Sequence, residues 1–317
     1  YCFALFYALY CNYYIAFMIC IFVVIWYILY SFKSVKQFFF RGIAFTFYSF
    51  LAAGMAAIML IPAYLGIKQT ASGESMSLPE HSFLTNAADL LNRQFAMWTP
   101  ITHDNFDGNV NLYIGIFTVL AVVLYLLNSK IKISEKIKKV LLIGFFYLSF
   151  SEMILNFIWH GFHDQYGIPN RFSFLFGFVL LYMLWEVFEN LEGTKGWHIA
   201  LACMAGVGLL VYARAKGTNP LDDEVYGVAG MLFILYGMLL FLYTLSRKRK
   251  GWYKNAFCIV ALIEIVATAF MGFNENGQIA VPKFFYGVND MEKAVASLGD
   301  KTFYRSELAS SLIVDEN

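Results

Sequence analysis

Runs of about 20 apolar residues recur along the chain, each long enough to cross the hydrocarbon core of a bilayer as a helix. Backbone in lipid must satisfy its own hydrogen bonds, which leaves helices and closed barrels, and these runs are too long for barrel strands. The pattern predicts spanning helices over 12–30, 43–66, 111–128, 139–158, 172–190, 197–213, 226–245 and 255–273, with residues 1–10 ending a preceding helix. Charged residues make up only 14% of the 317, against roughly 25% in a soluble domain. The expected fold is an all-α integral membrane protein, a polytopic bundle of about eight spans. It covers 1–273, and 274–317 begins an extracytoplasmic segment. The sequence starts at Tyr1 inside an apolar run and stops at VDEN, so it reads as an excerpt of a longer protein.

Lys and Arg sort by loop, and that sorting sets orientation. Loop 31–42 holds Lys33, Lys36 and Arg41, and loop 129–138 is lysine-rich. Lys195 lies in 191–196, and SRKRKGWYK fills 246–254. The alternate loops, 67–110, 159–171 and 214–225, hold only Lys68, Arg93, Arg171, Arg214 and Lys216. The basic set is expected in the cytoplasm, with anionic lipid beside RKRK. The alternate loops and the tail are then extracytoplasmic. Cys2, Cys11, Cys20, Cys203 and Cys258 all lie in apolar runs without C-x-x-C spacing, which reads as small core residues.

The stretch NFIWHGFHDQYGIPNRFSF, 156–174, concentrates polar chemistry between two apolar runs. His160 and His163 share a face if a helical turn persists, with Asp164 beside them, and a divalent cation could bind there. The competing reading is an interfacial loop whose imidazoles and aromatic rings suit the head-group zone. Asn170 is placed to cap the following helix, and Arg171 to hold an anion at its N-terminus, a lipid phosphate being the most available one. An Arg that merely snorkels to head groups fits equally. Glu152 falls inside the predicted span 139–158, where a carboxylate is costly unless paired, hydrated or protonated, and it is expected either to pair with Arg171 across the hairpin or to line a wet cavity with it. Glu264 raises the same question with no partner in view, while Glu186 and Glu189 read as solvated. In the long loop, Ala87 to Met97 reads as an amphipathic helix on the membrane, burying Leu90, Leu91, Phe95 and Trp98. Asp104 and Asp107 follow in an Asn/Asp-rich run suited to sugar hydroxyls or calcium, or to plain turn chemistry. No phosphate-binding Gly loop, hydrolase elbow or zinc motif occurs, and nothing suggests nucleic-acid binding.

These residues carry a resemblance. NFIWHGFHDQYGIPNRFSFLFGFVLL, CNYYIAFMICIFVVIWYILY, DGNVNLYIGIFTVLAVVLYLLNSKIKISEKI and TFYRSE resemble, in order, stretches of the bacterial YfhO-type membrane proteins. The resemblance implies a GT-C-like glycosyltransferase that moves sugar from a polyprenyl-phosphate donor to a cell-wall polymer such as (lipo)teichoic acid, on the outer face of the bacterial cytoplasmic membrane. It implies Arg171 at the donor phosphate, His160, His163, Asp164, Asn170 and Glu152 lining the site, and Asp104 and Asp107 near acceptor or sugar. GT-C enzymes place the catalytic carboxylate in a first outer loop that these residues do not include, so the base is expected upstream. A divalent cation is the one cofactor suggested, with His160, His163 and Asp164 as its weak candidate ligands. The rivals are a transporter or flippase for a lipid-linked saccharide, and a non-catalytic scaffold for envelope assembly.

Overall fold

A computed structural model describes residues 1–32, 34–68, 78–101, 110–162, 170–246, 248–275 and 293. Contacts divide the chain into Tyr1–Glu275 and Asn276–Asn317, and the second unit, apart from Lys293, lies outside the described residues. Within the first unit the described elements are helices: α1 (Cys2–Cys11), α2 (Tyr13–Tyr30), α3 (Val35–Met55), α4 (Ala57–Ile67), α5 (Ala87–Gln94), α6 (Ile116–Leu127), α7 (Ile133–Ser151), α8 (Met153–Trp159), α9 (Ser173–Glu189), α10 (Gly196–Lys216), α11 (Asp223–Leu245) and α12 (Lys250–Glu275). A short 3-10 turn, Leu191–Gly193, precedes α10.

Five of these, α2, α3, α10, α11 and α12, are long and apolar enough to cross a membrane. The span expected over 172–190 is met to within a residue by α9, and three others are altered for local reasons. The stretch expected over 43–66 starts at Val35, where Ser34 Oγ accepts from the Gln37 amide at 3.3 Å, and it divides at Ala56 into α3 and α4. Much of the supposed loop 31–42 is therefore helical. The span expected over 139–158 breaks at Glu152 into α7 and α8. α7 opens with Glu135, Lys136, Lys138 and Lys139, which lowers its hydropathy. α9 has 17 residues and α6 only 12.

α6 is the centre of the bundle. Its sequence IFTVLAVVLYLL is apolar all round, the mark of a helix enclosed by others. It packs on α9, α10 and α11, and Ile116, Phe117, Leu120, Leu124 and Tyr125 are buried there. The chain reaches α6 through the non-helical residues 110–115, of which Val110 and Leu112 are buried. Gly115 makes the turn into the helix at φ +102, a left-handed conformation, and a Cβ there would collide with the Phe117 ring. A smaller cluster of Leu5, Leu9, Ala16, Ala52 and Ala56 joins α1 to α2 and α3.

Connections of the same charge class meet one another. Asn128 Nδ2 donates to the Asn190 carbonyl at 2.8 Å, Lys254 Nζ reaches the Phe188 carbonyl at 3.4 Å, and Lys138 lies over the Tyr30 ring at 4.6 Å. These contacts gather the basic loops at one end. At the other, Asn92 Nδ2 donates to the Ala213 carbonyl at 3.1 Å, and Phe83 pairs with Glu152 in an isolated antiparallel bridge.

Candidate functional site

The candidate site is built around the break between α7 and α8. The chain leaves the helix at Glu152 (φ −104, ψ 128), and residues 82–84 fill the gap. Leu84 N donates to the Ser151 carbonyl at 2.7 Å, and Met153 N to the Ser82 carbonyl at 3.1 Å. The buried Glu152 carboxylate then accepts from Ile154 N at 3.1 Å and Leu155 N at 2.8 Å. It is the N-cap of α8, a place where a carboxylate both satisfies orphan amides and opposes the helix dipole. The expected ion pair between Glu152 and Arg171 is not formed, because the helix break supplies a nearer set of donors.

α8 ends on the residues that shape the turn. The buried His160 ring pairs through Nδ1 with the Asn156 carbonyl at 2.8 Å. Asn156 Nδ2 donates to Asn170 Oδ1. Asn170 is buried at φ +51, a left-handed conformation that Asn tolerates. Its side chain therefore points back to α8 and does not cap α9 as expected. Phe172 occupies the N-cap position without a side-chain cap, and the Asn170 carbonyl accepts from Ser173 N at 2.9 Å. Beneath the turn, Trp159 and Phe172 stack at 4.7 Å and 8°, and Phe150 stacks on Phe172 at 4.9 Å. The aromatic residues of the WHGF and PNRFSF stretches thus hold the hairpin by packing.

Arg171 emerges from this frame. It is exposed, with its guanidinium carbon 5.4 Å from the centre of the Tyr14 ring, a cation–π distance. Asn12 sets Tyr14 in place by capping α2, accepting from Ile15 N at 3.1 Å. A cation just before α9 has the wrong sign for the helix dipole and the right sign for an anion binding there. The structure brings His160, Asn170 and Arg171 together with Asn156 and Tyr14, and leaves Glu152 at the far end of α8. His163, Asp164, Asp104 and Asp107 lie outside the described residues, and so does the metal reading that needs the first two. Among the described residues, no three His, Cys, Asp or Glu are grouped to hold a metal ion.

The family model described as bacterial membrane protein YfhO matches residues 1–313. The chain belongs to the YfhO family. No curated protein and no solved structure matches it.

Three further polar nodes of this YfhO-family chain were not expected as networks. Glu264 on α12 is buried; its Oε1 accepts from Tyr113 OH at 2.5 Å and from Ile116 N at 2.6 Å, and its Oε2 from Tyr236 OH. It caps α6 from another helix. Its sequence signal was the stripe Phe257, Glu264, Thr268, Gly272 at helical spacing.

At the basic end, the wholly buried Lys139 donates to Tyr30 OH at 2.6 Å and lies 3.4 Å from Glu186 Oε2. Its ammonium also faces the rings of Trp26, Tyr30 and Tyr182. Glu186 accepts from Tyr125 OH at 3.2 Å as well, so it is an internal partner and not a merely solvated group. Lys139 falls in register with the buried Leu142, Phe146 and Phe150 of α7, which marks it as inward-facing.

The third node is on α5, which docks on α10 and α7 through both of its faces. Leu90 and Phe95, expected to sink into the bilayer, enter the protein core instead, and Asp89, Asn92 and Gln94 are buried too. Asp89 accepts from Thr218 N and Thr218 Oγ1, both at 2.7 Å, and from Asn219 N at 3.3 Å. Tyr226 OH donates to Asn92 Oδ1 at 2.7 Å. A polar face engaged in this way belongs inside the protein, which corrects the expectation of a helix lying on the bilayer. Arg93 beside it is pushed below its usual range by burial, with Asp89 acting against that shift.

Proposed function

We propose that this chain forms the donor-side part of a GT-C-like glycosyltransferase, taking sugar from a polyprenyl phosphate and passing it to a cell-wall polymer such as (lipo)teichoic acid. The eight-span count and an extracytoplasmic face for loops 67–110, 159–171 and 214–225 belong to the same reading, from the alternation of basic loops. The observation that carries it is Arg171, exposed over Tyr14 at the start of α9, opposite the basic end. A guanidinium fixed there suits a lipid phosphate at head-group depth, and would stabilise the phosphate leaving group as the glycosidic bond breaks. His160 and Asn170 support it by shaping the turn. The acceptor hydroxyl needs a general base, and none of the three buried carboxylates among the described residues fits that task, since Glu152 and Glu264 direct their oxygens to helix ends and tyrosines and Asp89 to Thr218 and Asn219. Family membership supports the reading at the level of a multi-pass bacterial membrane protein.

The transporter reading gains one observation: the helix broken at Glu152, a feature of transport sites, beside the non-helical entry to α6 at Gly115. Here, however, both helix ends are capped by protein carboxylates, which leaves them no substrate to hold.

A transfer assay separates the readings. The intact protein, purified and supplied with a polyprenyl-phosphate sugar and polymer, should turn over. Arg171→Ala should lose about 100-fold in donor use, the scale of removing one charge-stabilising donor from a reacting centre, with thermal unfolding in detergent unchanged. Arg171→Lys should recover only part of the activity, since a point charge cannot reproduce the fork. Full activity in Arg171→Ala removes the donor-site assignment. Passage of the intact lipid-linked sugar across vesicles without transfer favours the transporter.

A further inference from the structure

A cavity of about 380 Å³ lies between α11 and α12, outside the Arg171 site. Val228, Leu232 and Leu235 form one wall, and the stripe from Val260 to Met271 forms the other. Met97 and Trp98 bound it, and the Trp98 carbonyl and Pro100 lie 3.6 Å from the Cβ position of Gly272, just past Met271. The polar side chains in the lining, Glu264 and Thr268, are already engaged: Glu264 by its three donors, and Thr268 by donating to the Glu264 carbonyl at 2.8 Å. A polar ligand finds no free carboxylate or hydroxyl here, whereas hydrocarbon needs none. Both helices are apolar enough to span, and Ile263 is 62% exposed, so the opening faces lipid.

Length narrows the occupant. From Val260 to Met271 the groove follows α12 for about 16 Å at 1.5 Å per residue. That is about half of a 30 Å hydrocarbon core, the depth of one leaflet. It suits a single acyl chain and is short for an isoprenoid carrier. At the Trp98 end stands a cation: Arg93 Nη1 donates to the Thr99 carbonyl at 3.3 Å, on the strap that closes the groove. An interfacial Trp beside an Arg marks head-group level.

We infer that the α11–α12 groove is a lipid-binding site, holding one acyl chain of an anionic phospholipid with its phosphate toward Arg93. The inference does not depend on the transfer reading.

The test uses the intact protein in vesicles containing phosphatidylglycerol with a photoactivatable acyl chain, and crosslinks are mapped by mass spectrometry. Leu232, Ile263 and Met271 should be labelled several-fold more than Ile234 and Phe270, which are exposed but do not line the groove. Ala267→Trp, or Val228→Phe if the first variant unfolds, should abolish that enrichment and leave Ile234 labelling unchanged. Arg93→Gln should remove the preference for phosphatidylglycerol over the matching phosphatidylcholine probe. Equal labelling at groove and control residues overturns the proposal, as does enrichment that persists in the filled variants. Displacement of the probe by polyprenyl phosphate but not by unlabelled phosphatidylglycerol also overturns it, reassigning the groove to a carrier lipid.

Discussion

Glu264 illustrates what a buried carboxylate in an apolar bundle needs, which is donors more than a counter-ion. It collects an amide and two phenols drawn from two parts of the chain, 113–116 and Tyr236. Truncation to Ala strands all of them, and each buried unsatisfied group costs about 1–3 kcal/mol. Glu264→Ala should therefore lose at least about 3 kcal/mol in denaturant unfolding in micelles, while Tyr236→Phe, which removes one donor and leaves two, should lose about 1 kcal/mol. A neutral Glu264→Ala would mean that the cap of α6 does not stabilise the fold. Lys139 and Glu186 behave differently, as a true pair. Glu186→Gln leaves a buried ammonium with Tyr30 and three ring faces, and should cost about 2 kcal/mol, less than a fully buried broken pair. The double change Lys139→Met with Glu186→Gln should recover most of that loss. A double-mutant cycle showing no coupling would count against the pair.

At the level of elements, periodicity and interruption were unequally legible. The apolar runs located α2, α10, α11 and α12 to within a few residues, because each buries or exposes hydrocarbon along its whole length. The breaks were hidden for a physical reason. The residues around Glu152 are as apolar as any helix, and what opens the backbone there is a distant segment, 82–84, which donates and accepts across the gap. Likewise α6 begins late because Glu264, far along the chain, caps it. In the candidate site the signature's polarity was legible, and its internal geometry was not: Asn170 turned to Asn156 because a left-handed residue before α9 aims its side chain backward. α5 carries the same lesson. Its amphipathic sequence was plain, but only the fold shows that Asp89 finds its partners on the α10–α11 connection and Asn92 on the adjoining ends of α10 and α11. Asp89→Ala should thus loosen that connection, costing about 2 kcal/mol for the stranded Thr218 donors. Hydrogen exchange at the Thr218 and Asn219 amides should accelerate relative to that within α11. Unchanged protection there would separate α5 docking from this carboxylate.

Across the whole molecule, the charge pattern and the packing make the same division by independent routes. Basic loops were grouped by counting Lys and Arg, and their residues then meet at one end through Asn128, Asn190, Lys254 and Phe188. The carboxylate-capped breaks at Glu152 and the Asp89 lock lie toward the other end with Arg171. Positive charge is retained in the cytoplasm during insertion, so this grouping also predicts sidedness. On a cysteine-free background, Asn219→Cys should react with a membrane-impermeant maleimide in intact cells. Lys248→Cys should react only after permeabilisation. The two sites are exposed and lie in connections at opposite ends of α11, so labelling reports topology and not burial. The reverse pattern would turn Arg171 toward the cytoplasm and end the donor reading, because the phosphate it is proposed to hold would be on the wrong side. It would leave the Glu264, Lys139 and Asp89 networks as they are, since those depend on which groups meet inside the bundle and not on which compartment lies beyond it.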